Sequence, residues 1–209
     1  MTLLYVIRHG ETDYNRNGRY QGQSDVPLNA EGRNQCRTLA ARMSAIPLDV
    51  VYTSDLSRAQ ESARMIAGAH TVVLDTRLRE VNVGRCIGLT AAEIAAREPG
   101  FYAAMKTDPD GTPFPGGESN YDVKLRTLEA FSAIRARYPE GRVAVVTHGG
   151  VIKLLVGEVL GLPMSERHRI LLENCGLTVI EWGNDLRRLR SLNDTGHLAT
   201  PPSDVKADF

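Results

Sequence analysis

Two stretches of the chain are apolar without a break: Leu3 to Ile7, and Val143 to Val146. Each is rich in β-prone residues, and each ends at a histidine followed by glycine. Such runs fit strands buried on both faces of a parallel sheet. Asp49 to Thr53 and Thr71 to Leu74 read as shorter strands. Between the strands the apolar period becomes helical. Asn29 caps a helix over 30–45 that turns Cys36, Leu39, Ala40 and Met43 to one side. Asp55 reads as the cap of a helix over 56–69, with Ala59, Ala63, Met65 and Ile66 as its apolar residues. Thr90 with Glu93 resembles a capping box for a helix to Arg97, and 101–106 forms a further turn. Ser119 opens a long helix to Tyr138 whose stripe is Val123, Leu125, Leu128, Phe131 and Ile134. Val151 to Leu160 is helical until Gly161 and Pro163 stop it.

The remaining segments lack either period. Residues 13–29 are polar and hold Gly18, Gly22 and Pro27, so they read as a loop. They are long for a strand-to-helix connection, and loops of that length in compact domains are commonly functional. Residues 78–89 also read as loop, and 107–117 holds three prolines and three glycines. Residues 176–182 and 186–192 alternate around Gly183-Asn184-Asp185, a hairpin signal that adds an antiparallel pair at one sheet edge. The pattern predicts one α/β domain over 1–199. Residues 78–117 form a partly helical cap insertion, and 200–209 a tail.

Composition narrows the classes. The 25 basic and 25 acidic residues balance to a net charge of +0, which disfavours a nucleic-acid or membrane-surface role but permits a local basic pocket. Cys36, Cys86 and Cys175 are odd in number, far apart in sequence and without a CxxC pair. They read as buried thiols in a reducing, cytoplasmic setting. No apolar run approaches a membrane span. The amino terminus is already a strand, with no signal-peptide pattern.

Candidate chemistry comes from where the strands end. If the strands beginning at Leu3, Asp49 and Val143 are parallel, Arg8, His9, Arg58 and His148 meet at one sheet edge, where open α/β sheets bind ligands. Two guanidiniums, two imidazoles and the amides of glycine turns and helix N-termini suit a phosphoryl group. A histidine attacks phosphorus only as neutral imidazole, so its other ring nitrogen needs an acceptor that fixes the tautomer. An acid must protonate the leaving oxygen, and Glu80 is a candidate that the pattern alone does not place. A lone histidine at a strand end is usually structural, and a lone arginine in a helix's first turn is usually solvated. The constellation changes that weighting. His70, His168 and His197 have no such company and read as surface or packing residues, and Arg167-His168-Arg169 reads as a solvated face.

The blocks Arg8-His9-Gly10-Glu11-Thr12 with Asn15, Gln21-Gly22, Asp25, Pro27-Leu28 and Gly32 resemble the histidine phosphatase superfamily. So do Tyr52 to Ala59, Leu78-Arg79-Glu80, Gly116 to Ser119, Thr147-His148-Gly149 and Leu192 to Thr195. The chain is similar to the phosphoglycerate-mutase-like branch of small phosphatases, such as the cofactor-independent broad-specificity and α-ribazole phosphatases. The resemblance implies a three-layer α/β/α fold with a mostly parallel sheet. It implies a phosphohistidine on His9, Glu80 as proton donor, and Arg8, Arg58 and His148 on the phosphoryl oxygens. Asn15, Gln21, Gly22 and Gly149 would contact substrate, and neither metal nor cofactor would be needed. One block departs: where the family often has an aromatic residue and a second acid after Glu80, this chain has Cys86-Ile87 within Gly84-Arg85-Cys86-Ile87-Gly88. That changes the leaving-group side. The expected function is hydrolysis of a small phosphorylated metabolite. The competing readings are a phosphoglycerate mutase and a catalytically silent phosphate-binding regulatory module. The edge hairpin or the exposed faces could support a homodimer.

Overall fold

The computed structural model describes residues 1–184 and 186–198. Among them are six strands: β1 (Thr2–Arg8), β2 (Val50–Thr53), β3 (Val72–Leu74), β4 (Arg142–Thr147), β5 (Leu177–Trp182) and β6 (Arg187–Asp194). They form one sheet in the order β3-β2-β4-β1-β5-β6. The first four in that order run parallel, while β5 and β6 join antiparallel at the edge. The helices are α1 (Asp13–Arg16), α2 (Ala30–Met43), α3 (Ser57–Ala67), α4 (Ala91–Arg97), α5 (Pro99–Thr107), α6 (Asn120–Arg137) and α7 (Gly149–Leu160). The expected tail over 200–209 and Asp185 of the hairpin turn lie outside the described residues.

Side-chain alternation along β1 and β4 builds the three layers. Leu4, Val6, Val143 and Val145 face one way, onto α6, α7 and the cap. Ile7, Ala144 and Val146 face the other way, onto α2 and α3. All seven are fully buried, which is why both strands read as unbroken apolar runs. β1 therefore feeds a helix on one face, and its neighbour β4 feeds a helix on the opposite face. This divergence leaves a crevice at the carboxyl ends of the two strands. Thr90 forms the expected capping box with Glu93, and Ser119, expected as a cap, forms one with Asp122. Each cap is worth about 1 kcal/mol.

Several side chains depart from expectation. The polar stretch after β1 opens with a helical turn, α1, because Thr12 and Asn15 form a reciprocal capping box. Asp55 does not cap α3. Arg79 takes its carboxylate, and the free Ser57 N–H is met instead by Asp25 Oδ1 at 2.8 Å, from 32 residues upstream. Leu125 is 70% exposed. The face of α6 that is buried carries Val123, Thr127, Ala130, Phe131 and Ile134, and Leu125 lies about 200° around the helix from Val123. Arg167 is not solvated. Its guanidinium pairs with Asp110 and donates to Pro109 O at 3.2 Å, which pins the cap to the turn over Met164–Arg169. Burial pulls the Arg167 pKa down and pushes that of Asp110 up, so the pair is held against a desolvation cost. Cys36 and Cys175, so distant in sequence, meet: their sulfurs lie 3.6 Å apart in the core.

The long helix is fastened to the sheet by Phe131, fully buried, with its ring stacked on Trp182 of β5 at a centroid distance of 6.0 Å. Replacing Phe131 by Ala should cost about 3–5 kcal/mol of stability, read as a lower urea midpoint at unchanged slope. A loss within error of zero would show that α6 is anchored elsewhere.

Candidate active site

His9 and His148 follow the last residues of β1 and β4, and the His9 N–H donates to Thr147 O at 3.0 Å, tying the two strand ends together. The His9 ring nitrogen Nδ1 lies 2.7 Å from Gly10 O. A carbonyl can only accept, so Nδ1 carries the proton and Nε2 keeps its lone pair. Nε2 in turn accepts from Arg58 Nε–H at 3.3 Å. Burial, then the charges of Arg58 and Arg8, hold the His9 pKa well below its ordinary value of 6.5, against the opposing bond to Gly10. The imidazole is therefore neutral at physiological pH.

Arg58 is fully buried in the first turn of α3. Its terminal nitrogens donate to Ser24 O at 2.8 Å and Gly22 O at 2.7 Å. Burial pushes its pKa down to about 10, which leaves it charged at neutral pH. Arg8 is 6% exposed and donates to Leu172 O at 2.5 Å. His148, fully buried, sets its ring edge-on to His9 with centroids 5.1 Å apart. Its Nε2 meets Ser54 Oγ at 2.7 Å, and its Nδ1 has no hydrogen-bond partner among the described residues. Burial first, and then Arg58 and His9, keep it neutral as well.

Glu80 reaches the same place from the cap side. Its carboxylate accepts from Val81 N–H at 2.9 Å and from Gly150 N–H, in the first turn of α7, at 3.1 Å. An added Cβ at Gly150 would stand 2.4 Å from Glu80 Oε1, so the carboxylate would have to move from its observed place. Arg8, His9, Asn15, Gln21, Gly22, Arg58 and Glu80 all line one narrow cleft of about 60 Å³. Gly149 and His148 are not among the residues that line it, although the His148 ring is in edge contact with that of His9. A much larger cleft, about 640 Å³, opens at the opposite edge of the sheet between Met1, Tyr138 and Asn184, and it holds none of these groups. Among the described residues no group of three or more His, Cys, Asp or Glu could hold a metal, and no helix is long and apolar enough to cross a membrane.

The structure adds residues that sequence patterns did not flag. Ser62 Oγ accepts from Gly10 N–H at 3.0 Å and donates to Arg58 O at 2.7 Å, joining the His9 turn to α3. Asn174 donates to His9 O at 2.9 Å. Arg19, Tyr20, Val81 and Val83 complete the wall of the cleft. None of these carries a motif, since each is recruited by the fold.

The family model for the histidine phosphatase superfamily (branch 1) matches residues 4–195, and the chain belongs to that superfamily. The "Probable phosphoglycerate mutase GpmB" of Enterobacter sp. is 36% identical over 185 residues, 87% of this chain and 86% of the relative. Among solved structures, Bacillus stearothermophilus YhfR superposes with a TM-score of 0.88 at 32% identity, covering 94% of this chain and 99% of that one. A mutant phosphoserine phosphatase from Entamoeba histolytica in complex with phosphoserine gives 0.86 at 29% identity, covering 95% and 100%. That phosphatase is also known in complex with 3-phosphoglyceric acid.

Two imidazoles buried in neutral form make stability depend on pH. Below the ordinary histidine value of 6.5 the unfolded chain binds protons that the folded chain refuses. Stability is thus complete above that value and is lost as pH falls, by at most about 1.4 kcal/mol per pH unit for each ring. The urea midpoint should drop between about pH 7.5 and about pH 5.5, with a shallower drop for His148→Gln. An identical pH dependence in the variant would mean that His148 titrates freely.

Proposed function

We propose that the chain hydrolyses a small phosphomonoester by two in-line phosphoryl transfers through a phosphohistidine on Nε2 of His9. The observation that carries this reading is the tautomer: Gly10 O holds the proton on Nδ1, and Nε2 keeps a lone pair beside a buried guanidinium in the cleft. In the first transfer Nε2 attacks phosphorus, the ester P–O bond breaks, and the departing alkoxide takes a proton from Glu80. Gly10 O then faces an imidazole that has become cationic and favours it. In the second transfer water attacks the same phosphorus, Glu80 takes its proton, and the P–N bond breaks to free phosphate. Arg8, Arg58 and the Nδ1–H of His148 would hold the equatorial oxygens, where stabilisation of charge is the main catalytic task. Asn15, Gln21 and Gly22 would frame the group, and Gly149 would support His148.

The narrow cleft suits a small substrate. Phosphoserine and 3-phosphoglycerate, which the E. histolytica relative binds, both carry a carboxylate near the ester oxygen. Arg19 lines the cleft wall, its Nη1 shared between Glu93 and Gly88 O, and would be the cation nearest such a group. Phosphoglycerate mutase is the second reading, because the curated relatives bear that name. Release of inorganic phosphate, rather than interconversion of phosphoglycerates, separates the two. The same reading places the protein in the cytoplasm, where its three buried thiols would stay reduced. It takes one chain as the catalytic unit, since every residue lining the cleft comes from one chain.

His9→Ala should lower phosphate release by more than about 10³-fold, and an acid-labile phosphoenzyme should accumulate in wild type but not in this variant. Wild-type turnover by the variant would overturn the mechanism. Gly150→Ala, which crowds Glu80, should slow cleavage of alkyl phosphates by about tenfold or more. Undiminished rates would show that Glu80 does not work from its observed position.

A further inference from the structure

Glu80 stands on a segment with no regular structure of its own. Between the short turn at Thr76–Leu78 and that at Gly84–Cys86, the chain pairs with no strand, yet Leu78, Val81 and Val83 are buried. Backbone carbonyls drawn away from water need donors, and three part-buried ones find the same donor. Arg126, on α6, donates from Nη1 to Arg77 O at 2.8 Å and Arg79 O at 2.5 Å, and from Nη2 to Glu80 O at 3.0 Å. Its Nε and Nη2 also hold the Glu118 carboxylate, at 2.9 and 3.0 Å. Glu118 completes the grip. It accepts from Asn82 N–H at 2.8 Å, and its own N–H donates to Asn82 O at 2.9 Å. Gln23 adds a second donor to Glu80 O at 3.0 Å.

We infer that Arg126, braced by Glu118, is a positioning residue that fixes the backbone of Glu80 and so sets the proton donor's distance from the leaving oxygen. Neither side chain lines the cleft, so neither touches substrate. Their effect passes through the 77–82 segment. The brace is rigid because α6 is capped by Ser119 and fastened by Phe131. A planar guanidinium with several fixed donors suits three carbonyls at once, and an ammonium does not. Proton transfer is sensitive to small misplacement, so loosening this segment should weaken acid catalysis before it weakens phosphoryl binding.

The inference rests on the reading of Glu80 as the acid, and the test separates the two. The readout is kcat/KM, which reports the first transfer, for an alkyl phosphate relative to p-nitrophenyl phosphate, whose leaving group needs no proton. Glu80→Gln should shift that ratio against the alkyl phosphate by about 10²-fold or more. Arg126→Met should shift it the same way by about tenfold or more, and Arg126→Lys by less, with the far-UV circular dichroism of wild type. If Glu80→Gln shifts the ratio while both Arg126 variants slow the two substrates equally, or neither, Arg126 is merely structural and the inference falls. If Glu80→Gln leaves the ratio unchanged, the acid assignment falls first and takes the inference with it. Should Arg126→Met fail to fold, Arg126→Lys and Glu118→Gln decide by the same ratio.

Discussion

The site is organised around a cation with no carboxylate hydrogen-bonded to it. Arg58 is wholly buried and donates to two backbone carbonyls and an imidazole, all neutral. Burying an unpaired charge costs several kcal/mol even after relaxation, and here burial lowers its pKa to about 10. The surroundings are arranged to tolerate that cost. Asp25 and Glu80 raise its pKa from a distance, and Ser62 fastens its backbone to the His9 turn. In binding Gly22 and Ser24, the guanidinium also fixes the loop that forms the cleft's floor. A phosphoryl dianion would supply the counter-charge that the protein withholds. The same charge helps to keep His9 and His148 unprotonated, so in the proposed mechanism one buried arginine would both hold the nucleophile in its reactive form and attract its target.

The parts of this arrangement legible in the sequence are those fixed by local rules. The strands ending at His9 and His148 were visible because burial on both faces leaves an unbroken apolar run. The helix opened by Thr90 was visible because a capping box closes within four residues, and that opened by Ser119 because a cap precedes a long apolar stripe. What could not be read depends on choices made between distant side chains. Asp55 had the spacing of a cap, but Arg79 claimed it and Asp25 capped the helix instead. Leu125 belonged to an apolar stripe in composition but not in angle. Arg167 looked like part of a solvated cluster until Asp110, on a cap that no pattern could dock, came into contact with it.

The cap itself is held by small numbers of specific contacts. Phe114 packs against Phe101 and Tyr20, with centroid separations of 5.0 and 6.1 Å, which joins α5 to the loop that lines the cleft. Arg19 donates to Gly88 O at 2.6 Å, joining that loop to the glycine frame after Glu80. Cys86 is buried. It fills the cap interior and leaves the cleft wall to Val81, Val83 and Tyr20.

The divergence of α2 and α7 to opposite faces of the sheet divides the molecule's labour in a way that bears on how such proteins diversify. The groups proposed to handle the phosphoryl stand at the ends of β1 and β4 and in the first turn of α3, all packed against the core. The surroundings of the leaving group would stand on the loop after β1 and on the insertion that precedes α6, where residues facing the cleft can change while those packed on β1 and β4 stay. The two modules share a short hinge of chain around Glu80. A lineage, or an engineer, can therefore rewrite what the enzyme selects while inheriting unchanged how it reacts.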